Sequence, residues 1–389
     1  MGSTEADLIA AARHGDEATF EKLVAAHQRR LHAYCYRMLG SVHDADDALQ
    51  ETLLAAWRGL GTFEGRSELR TWLYRIATHA CLRLTASRRR RVLSPEHGPP
   101  RSDVYDLGEP VTEPVWLEPY PEAGPADDST SPEARYQKRE SVELAFVAAL
   151  QHLPASQRAV LILREVLQFS AAEVAQMLDR SVPSVNSSLQ RARKAMAEHH
   201  ADHHAATSQR DELRALGEEG QRQLVAAFVQ AWERADVPAM VALLAEDARF
   251  GMPPLPAWFR GRADVVRFMA ERMWATPWRL VPMTANGQLA FACYQGDTAH
   301  QGDTAHQSDT GPGRFRLSAV NVVTLRAGRI AELTGFLDPA IHRQFGLDPE
   351  APEDPEAQKP TSLPNRDEVS RRLGSLLVEA HAEAGRSTR

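Results

Sequence analysis

The arginines between positions 65 and 91 are the residues whose type and spacing suggest a task, and the task is recognition of a polyanion. The stretch GRSELRTWLYRIATHACLRLTASRRRR carries Arg66, Arg70, Arg75, Arg83 and the run Arg88 to Arg91, eight positive charges against the single acid Glu68. The whole chain has a formal net charge of -7, so this basic stretch is a local departure. Trp72 and Tyr74 lie among the arginines. Flat rings beside guanidinium groups hold unpaired bases by stacking while the phosphate charge is neutralised. Leu69, Trp72, Leu73, Ile76, Ala80 and Leu84 recur at spacings of three and four, which predicts a helix of some five turns to position these groups. A core tryptophan under a solvated arginine face would show the same pattern.

The stretch just before it, residues 43–60, predicts a second amphipathic helix with Ala45, Ala48, Leu49, Thr52, Leu53, Ala56 and Trp57 inward. Asp44, Asp46, Asp47 and Glu51 crowd its first turns, which suits the helix dipole. Acid followed directly by base also makes a bipolar surface, one side for a basic protein partner and the other for nucleic acid. An earlier helix opens with Glu5 and Asp7 and carries Leu8, Ile9 and Ala12 inward, and HGDEATF starts another, with Phe20, Leu23, Val24, His27, Leu31, Tyr34, Cys35 and Met38 on its apolar face and Gly40 as its stop. Together these helices form an expected four-helix unit over residues 5–91.

Residues 92–139 hold nine prolines and little periodicity, the composition of an extended linker. One apolar island, VWLEPYP at 115–121, interrupts it, and Trp116, Leu117 and Tyr120 are expected to anchor it between domains. Beyond it, residues 140–200 read as helices. Ser170 stands three residues before Glu173, the spacing of a capping box. A helix at 171–178, a turn at 179–182 and a helix at 183–196 have helix-turn-helix spacing, with Val174, Ala175, Leu178, Val182, Val185 and Leu189 as the shared core. Ser184, Asn186, Ser187 and Gln190 then project outward as short polar side chains suited to base edges, with Arg191, Arg193 and Lys194 near phosphates.

LGSVHDADDALQETLLAAWRGLGTFEGRSELRTWLYRIATHACLR resembles region 2 of the extracytoplasmic-function (ECF) group of bacterial RNA polymerase sigma factors of the sigma-70 family. LPASQRAVLILREVLQFSAAEVAQMLDRSVPSVNSSLQRARKAM, residues 153–196, resembles their region 4, and the two follow in the family's order. The resemblance implies that Asp44, Asp46, Asp47, Gln50, Glu51 and Trp57 bind the core polymerase. It also implies that the segment 63–83, with Arg66, Arg70, Trp72, Arg75 and Arg83, opens and reads the -10 promoter element as single strand. The row Ser184, Asn186, Ser187, Gln190, Arg191, Arg193 and Lys194 would read the -35 element. The usual turn of the family carries a glycine where this one has Asp179 or Ser184. VWLEPYP resembles a motif between the two regions in a subgroup with an additional C-terminal domain.

That third domain is expected over 218–346, after a linker at 201–217. Two helices open it, and runs at 248–252, 278–284, 289–295, 315–325 and 330–337 read as strands, with a helix at 264–273 between the first two. Asn286-Gly287 and Ala327-Gly328 mark tight turns. The stretch resembles the SnoaL-like branch of the nuclear-transport-factor-2-like (NTF2-like) fold, an α+β cone. Phe250, Trp258, Phe259, Phe268, Trp274, Trp278, Phe291, Tyr294 and Phe336 are candidates to line a pocket or to fill a core. Asp247 and Asp338 are the carboxylates with a catalytic look, yet Asp247 also suits a helix end and Asp338-Pro339 a turn. No histidine base, carboxylate pair or metal-ligand set accompanies them. Residues 295–306 are QGDTAHQGDTAH, a duplication read as a lengthened hairpin loop. Residues 347–389 are a Pro/Glu-rich tail with a helix at 367–384.

Three widely spaced cysteines indicate neither a disulfide framework nor a thiolate metal site. No apolar run reaches the length of a membrane span, so a cytoplasmic protein without a membrane partner is expected. The expected fold is multidomain: an all-α region 2 bundle, an all-α region 4 helix-turn-helix and the α+β cone. The expected function is promoter selection as a sigma factor, without catalysis, cofactor or metal, partnered by bacterial core RNA polymerase and promoter DNA. An unidentified small ligand in the third domain is compatible with this, and the alternative is a DNA-binding regulator fused to a ligand-binding or catalytic SnoaL-like domain.

Overall fold

The computed structural model describes residues 5–65, 67–113, 115–121, 142–203, 208–296 and 314–351. Its contacts divide the chain into two units, Met1–Val92 with Pro114–Ala206, and Leu93–Glu113 with Thr207–Arg389.

In the first unit, α1 (Glu5–Arg13), α2 (Glu17–Leu39), α3 (Val42–Gly59) and α4 (Leu69–Ser87) make the expected bundle. Asp16 caps α2 by accepting from Thr19 N at 3.2 Å, and Ser41 caps α3 by accepting from Asp44 N at 3.1 Å. Gly40 ends α2 at φ +71°, a conformation that favours glycine, and a Cβ there would lie 2.7 Å from the Leu117 side chain. The Ser94–His97 turn (α5) opens the connection and belongs to the second unit, and the first unit continues with α6 (Leu144–Gln151), α7 (Ala155–Leu161, continued by a π-helical turn to Val166), α8 (Ala171–Met177) and α9 (Val182–His203).

The buried face of α4 differs from the expected stripe. Leu69, Thr71, Leu73, Tyr74, Ala77, Thr78, Ala80 and Cys81 are buried, whereas Trp72, Ile76 and Leu84 are only half-buried. The helix is covered on two sides, by the bundle and by α8, so a single-stripe pattern places the inward face wrongly. Val182 also departs from expectation, because as the first residue of α9 it turns outward and is 38% exposed.

In the second unit a six-stranded sheet runs β2-β1-β6-β5-β4-β3, formed by β1 (Leu244–Gly251), β2 (Trp258–Arg260), β3 (Trp278–Ala285), β4 (Gln288–Gly296), β5 (Phe315–Arg326) and β6 (Arg329–Phe336). Only β1 and β6 pair in parallel. Asn286-Gly287 and Ala327-Gly328 both take positive φ, joining β3 to β4 and β5 to β6 as expected. The helices α10 (Gln209–Glu233) and α12 (Arg262–Glu271) pack on the sheet, α11 (Val237–Leu243) packs on both of them, and α13 (Pro339–Gln344) follows the last strand.

Two stretches read as linker belong to this unit. The first is 208–217, which α10 incorporates up to a kink at Gly217. Gln209 exchanges bonds with the Leu325 backbone at 2.6 and 2.9 Å, and the Glu212 carboxylate accepts from the N–H groups of Ala327 and Gly328 at 3.1 and 3.2 Å. The second is Leu93–Glu113. Val104 enters the core at 2% exposure, the Trp258 indole donates to Gly98 O at 2.7 Å, Arg101 N donates to Trp258 O at 2.8 Å, and Val111 N donates to Pro254 O at 2.9 Å. Irregular proline-rich backbone becomes structure here because its polar groups find partners on β2 and the loop before it. The QGDTAH repeat beyond Gly296 and the tail from 352 lie outside the described residues.

Candidate nucleic-acid interface

The basic helix α4 projects its polar groups toward the turn between α7 and α8 and the turn after α8. Arg70 donates to Leu167 O at 2.9 Å and lies 4.2 Å over the Phe169 ring. Thr71 donates to Glu173 at 3.3 Å, Arg75 donates to Asp179 at 3.1 Å, and His79 contacts Met177 O at 3.1 Å. Partial burial would raise the Glu173 carboxyl, but hydrogen bonds with Ser170 and Thr71 and the charge of Arg70 hold it below the usual carboxylate range. Arg83 pairs with Glu51 of α3. Trp72 packs against Phe63 in a tilted arrangement with the ring centres 4.9 Å apart and is half-buried. Tyr74 is 1% exposed between Tyr34 and Phe169, so its ring is a core group and not a platform for a base. Arg66 lies outside the described residues.

The acidic helix is also engaged within the chain. Asp44 is 1% exposed and pairs with Arg88 and Arg91, the latter at 2.6 Å. That position faces inward with Ala45 and Ala48, and two guanidinium groups make its burial tolerable. Two of the four arginines of the basic run therefore fold back on the acidic helix and hold Asp44 within the chain. Asp46 lies 3.0 Å from His32, Asp47 lies 3.6 Å from Arg88, and Trp57 packs edge-on to Phe20 at 5.0 Å. Gln50 and Glu51 are exposed.

The VWLEPYP island seats on this same bundle. Val92 bridges Trp116 in parallel, Leu117 is fully buried, and the Tyr120 hydroxyl meets His32 Nδ1 at 2.9 Å with its ring 4.6 Å from that of Tyr36. Glu118, which the sequence did not single out, accepts from Ser41 Oγ and Val42 N, each at 2.8 Å, and so completes the N-terminus of α3. A carboxylate inside an apolar island was the available signal. Arg158 was missed as well. It is 4% exposed and donates to Met38 O, to Gln151 Oε1 at 2.6 Å, and to Gln151 O and Leu153 O at 3.1 Å. Burial lowers its pKa to about 10, which leaves it charged near neutrality.

The helix-turn-helix has a different character. Ser170 and Glu173 form a reciprocal capping box on α8. Asp179 takes φ +51° where the family's glycine is usual, and Arg180 N donates to Ala175 O at 2.9 Å across the turn. On α9, Asn186, Ser187, Gln190, Arg191, Arg193 and Lys194 are exposed and Ser184 is half-buried. Arg193 pairs with Glu165, while Arg191 and Lys194 contact Ser188 and Glu198 on their own helix. These polar side chains stand along one helix at the surface of the first unit.

In the second unit the aromatic candidates are buried, and Phe228 and Trp232 of α10, which the sequence did not single out, join them. Phe228, Trp232, Phe250, Phe259, Phe268 and Phe291 are each at most 2% exposed and meet ring to ring at 4.4 to 6.3 Å. Asp247 lies in β1, not at a helix end, and pairs with Arg326; that bond and charge outweigh partial burial and lower its pKa. Asp338 caps α13 by accepting from Ala340 N at 2.8 Å. Both carboxylates thus have structural partners. No helix among the described residues is long and apolar enough to cross a membrane.

Comparison with known proteins accounts for both units. Residues 23–91 match Sigma-70 region 2, residues 143–196 match Sigma-70 region 4, and residues 225–333 match the SnoaL-like domain. The chain is 40% identical over 340 residues to the ECF RNA polymerase sigma factor SigG of Mycobacterium tuberculosis, covering 86% of this chain and 85% of that one. It is 31% identical over 194 residues to SigM of the same species, covering 50% of this chain and 83% of SigM. The crystal structure of the M. tuberculosis ECF sigma factor SigJ has the same fold at a TM-score of 0.51 and 20% identity, with 84% of this chain and 99% of that one covered. The chain belongs to the ECF RNA polymerase sigma factors of the sigma-70 family, non-catalytic regulators of transcription initiation, in a form that carries a C-terminal SnoaL-like domain.

Proposed function

We propose that the chain directs core RNA polymerase to its promoters by using α3 on the polymerase, α4 on the single-stranded -10 element and α9 on the -35 duplex, and that the C-terminal domain sets how readily it does so. Family membership implies the polymerase and promoter DNA as partners. The residue assignments are our reading. Gln50 and Glu51 of α3 and the polar row of α9 are exposed, as contacts with large partners require. We leave Asp44 out of the polymerase contact, since Arg88 and Arg91 already hold its carboxylate.

The carrying observation is that Arg70, Thr71, Arg75 and His79 of α4 are bonded to the region 4 segment between Leu167 and Asp179. Reading a single strand with α4 requires these contacts to open, so the free chain holds a closed arrangement that the polymerase and promoter must displace. The C-terminal domain enters because Leu93–Glu113, the connection between regions 2 and 4, is built into it. Holding that connection restricts the separations the two regions can take, and it supports whichever arrangement suits the held length. We favour a supportive role.

Purified chain mixed with core polymerase should give promoter-dependent run-off transcripts. Duplex binding with no transcripts and no association with core would overturn the proposal. For the C-terminal domain, the comparison is among the full chain, a truncation near Ser208 and a Trp116→Ala/Tyr120→Ala variant. Equal activity and equal core affinity in all three would leave that domain without a regulatory part.

A further inference from the structure

The helix α10 forms one wall of a groove in the C-terminal unit. Val225, Ala226 and Val229, with Pro282 of β3 and Leu289 of β4, give it an apolar lining, Glu218, Arg222, Glu233 and Arg234 add charge, and the groove has a volume of about 810 Å³. It lies beside β3, the last strand of the sheet, where an added strand is the first occupant to consider. The strand is unsuited to that. The outward N–H of Leu280 is already taken by Glu233 Oε1 at 2.8 Å, and the next outward position, Pro282, has no N–H. An occupant must therefore use side chains against the apolar lining, as an amphipathic helix does.

We propose that the chain's own segment 369–380 docks in this groove as a helix. Val369, Leu373, Leu376, Leu377 and Ala380 are spaced to share one helix face. Twelve residues of helix rise about 18 Å, and the groove wall from Glu218 to Arg234 offers about 24 Å at the same rise per residue. The connection reaches easily. Ala351 N donates to Phe315 O at 2.9 Å, at the head of β5, two strands from the start of β3. Two strand spacings and four residues along β3 make about 16 Å, while the seventeen residues 352–368 span up to about 56 Å when extended. A tether of this length holds its end at an effective concentration on the order of millimolar, which favours this occupant over a second copy at micromolar concentration.

Hydrogen exchange on the full chain tests the proposal. Amides of 369–380 should exchange at least tenfold more slowly than an unstructured peptide of that sequence. Ala226→Glu in the groove and Leu373→Asp in the segment should each abolish that protection while the β4–β5 amides keep theirs. Unprotected exchange of 369–380 in the parent chain overturns the proposal, and so does protection that survives Ala226→Glu. Protection that grows with protein concentration alongside a dimer in size-exclusion chromatography would assign the groove to a second copy and also overturn it. Should Ala226→Glu unfold the sheet, an Ala226→Cys/Leu376→Cys chain decides the matter. The three native cysteines are fully buried, so a short bis-maleimide should join the introduced pair within one chain, and failure to form that monomeric cross-link counts against docking.

Discussion

The two helices assigned to DNA, α4 and α9, differ in where their polar groups go. On α4, Arg70, Thr71, Arg75 and His79 all bond to groups of region 4. On α9, the bonds of Arg191 and Lys194 stay on their own helix, that of Arg193 goes to Glu165, and Asn186, Ser187 and Gln190 stand exposed. A helix that reads an unpaired strand meets its ligand only after the duplex has opened, so engagement within the chain costs little until then. A helix that reads intact duplex must be presentable from the first encounter. On the proposed assignment, the chain stores one surface and displays the other.

The strongest way to break this comparison is Arg158→Ala. The guanidinium joins α7 to the end of α2 through Met38 O, and its loss leaves buried carbonyl oxygens at Met38, Gln151 and Leu153 short of a donor. An unsatisfied buried acceptor costs about 1–3 kcal/mol, so the variant should lose about 3 kcal/mol or more in urea unfolding of the first unit. Unchanged stability would mean that regions 2 and 4 are held by other contacts.

A smaller effect is expected on α9. Gln190→Ala or Asn186→Ala should relax discrimination at the -35 element by about 1–3 kcal/mol for a lost base contact, with the salt dependence of binding kept. Arginine replacements at Arg75 and Arg83 should instead weaken single-strand binding across sequences and reduce its salt slope. An unchanged slope would place the phosphate-facing surface elsewhere.

How far these surfaces were legible in the sequence differs between them in the same way. The helix-turn-helix is written locally: the Ser170/Glu173 box, the turn and the row of short polar residues need no knowledge of distant partners. The strands of the third domain alternate and their turns carry Asn-Gly and Ala-Gly, so they too were readable. The inward face of α4 was not, because Tyr74 is buried by Phe169 from region 4, ninety-odd residues away. Asp44 defied its own polarity because its partners Arg88 and Arg91 come from beyond α4. Leu93–Glu113 has no periodicity to read, and Val104, with Leu107 packed against the same core, carries it inward. Long-range contacts made by polar or irregular residues leave no local pattern.

Asp179→Gly sharpens the comparison at modest cost. It removes the partner of Arg75 while allowing the turn its φ of +51°. The pair is 45% and 66% exposed, so stability should change by less than about 1 kcal/mol. The free chain should nevertheless bind a -10 single strand several-fold more tightly, because one contact that competes for α4 is gone. Tighter single-strand binding from Arg75→Ala instead would reverse the assignment of that arginine.

The smallest expected effect is a dependence on pH at the seat of Tyr120. Burial lowers the pKa of His32 below its ordinary 6.5, and the charge and hydrogen bond of Asp46 only partly oppose this. The groups around it are Asp46 at 3.0 Å, the Tyr120 hydroxyl at 2.9 Å, and the Tyr120 ring, which also packs on Tyr36. Because the folded pKa is the lower one, the unfolded chain binds the proton first. The contribution of His32 to stability is therefore complete above pH 6.5 and declines as pH falls from there toward the folded value. Acid should thus loosen the Trp116–Tyr120 seat before it loosens α9, whose exposed row contains no histidine between Ser184 and Lys194. Hydrogen exchange at residues 116–120 should quicken between pH 7.5 and 5.5, after correction for the intrinsic rate, and His32→Gln should flatten the change. An equal pH response in the parent and His32→Gln chains would show that the anchor of the connection is set by Glu118 and Leu117 alone, with the imidazole as a bystander.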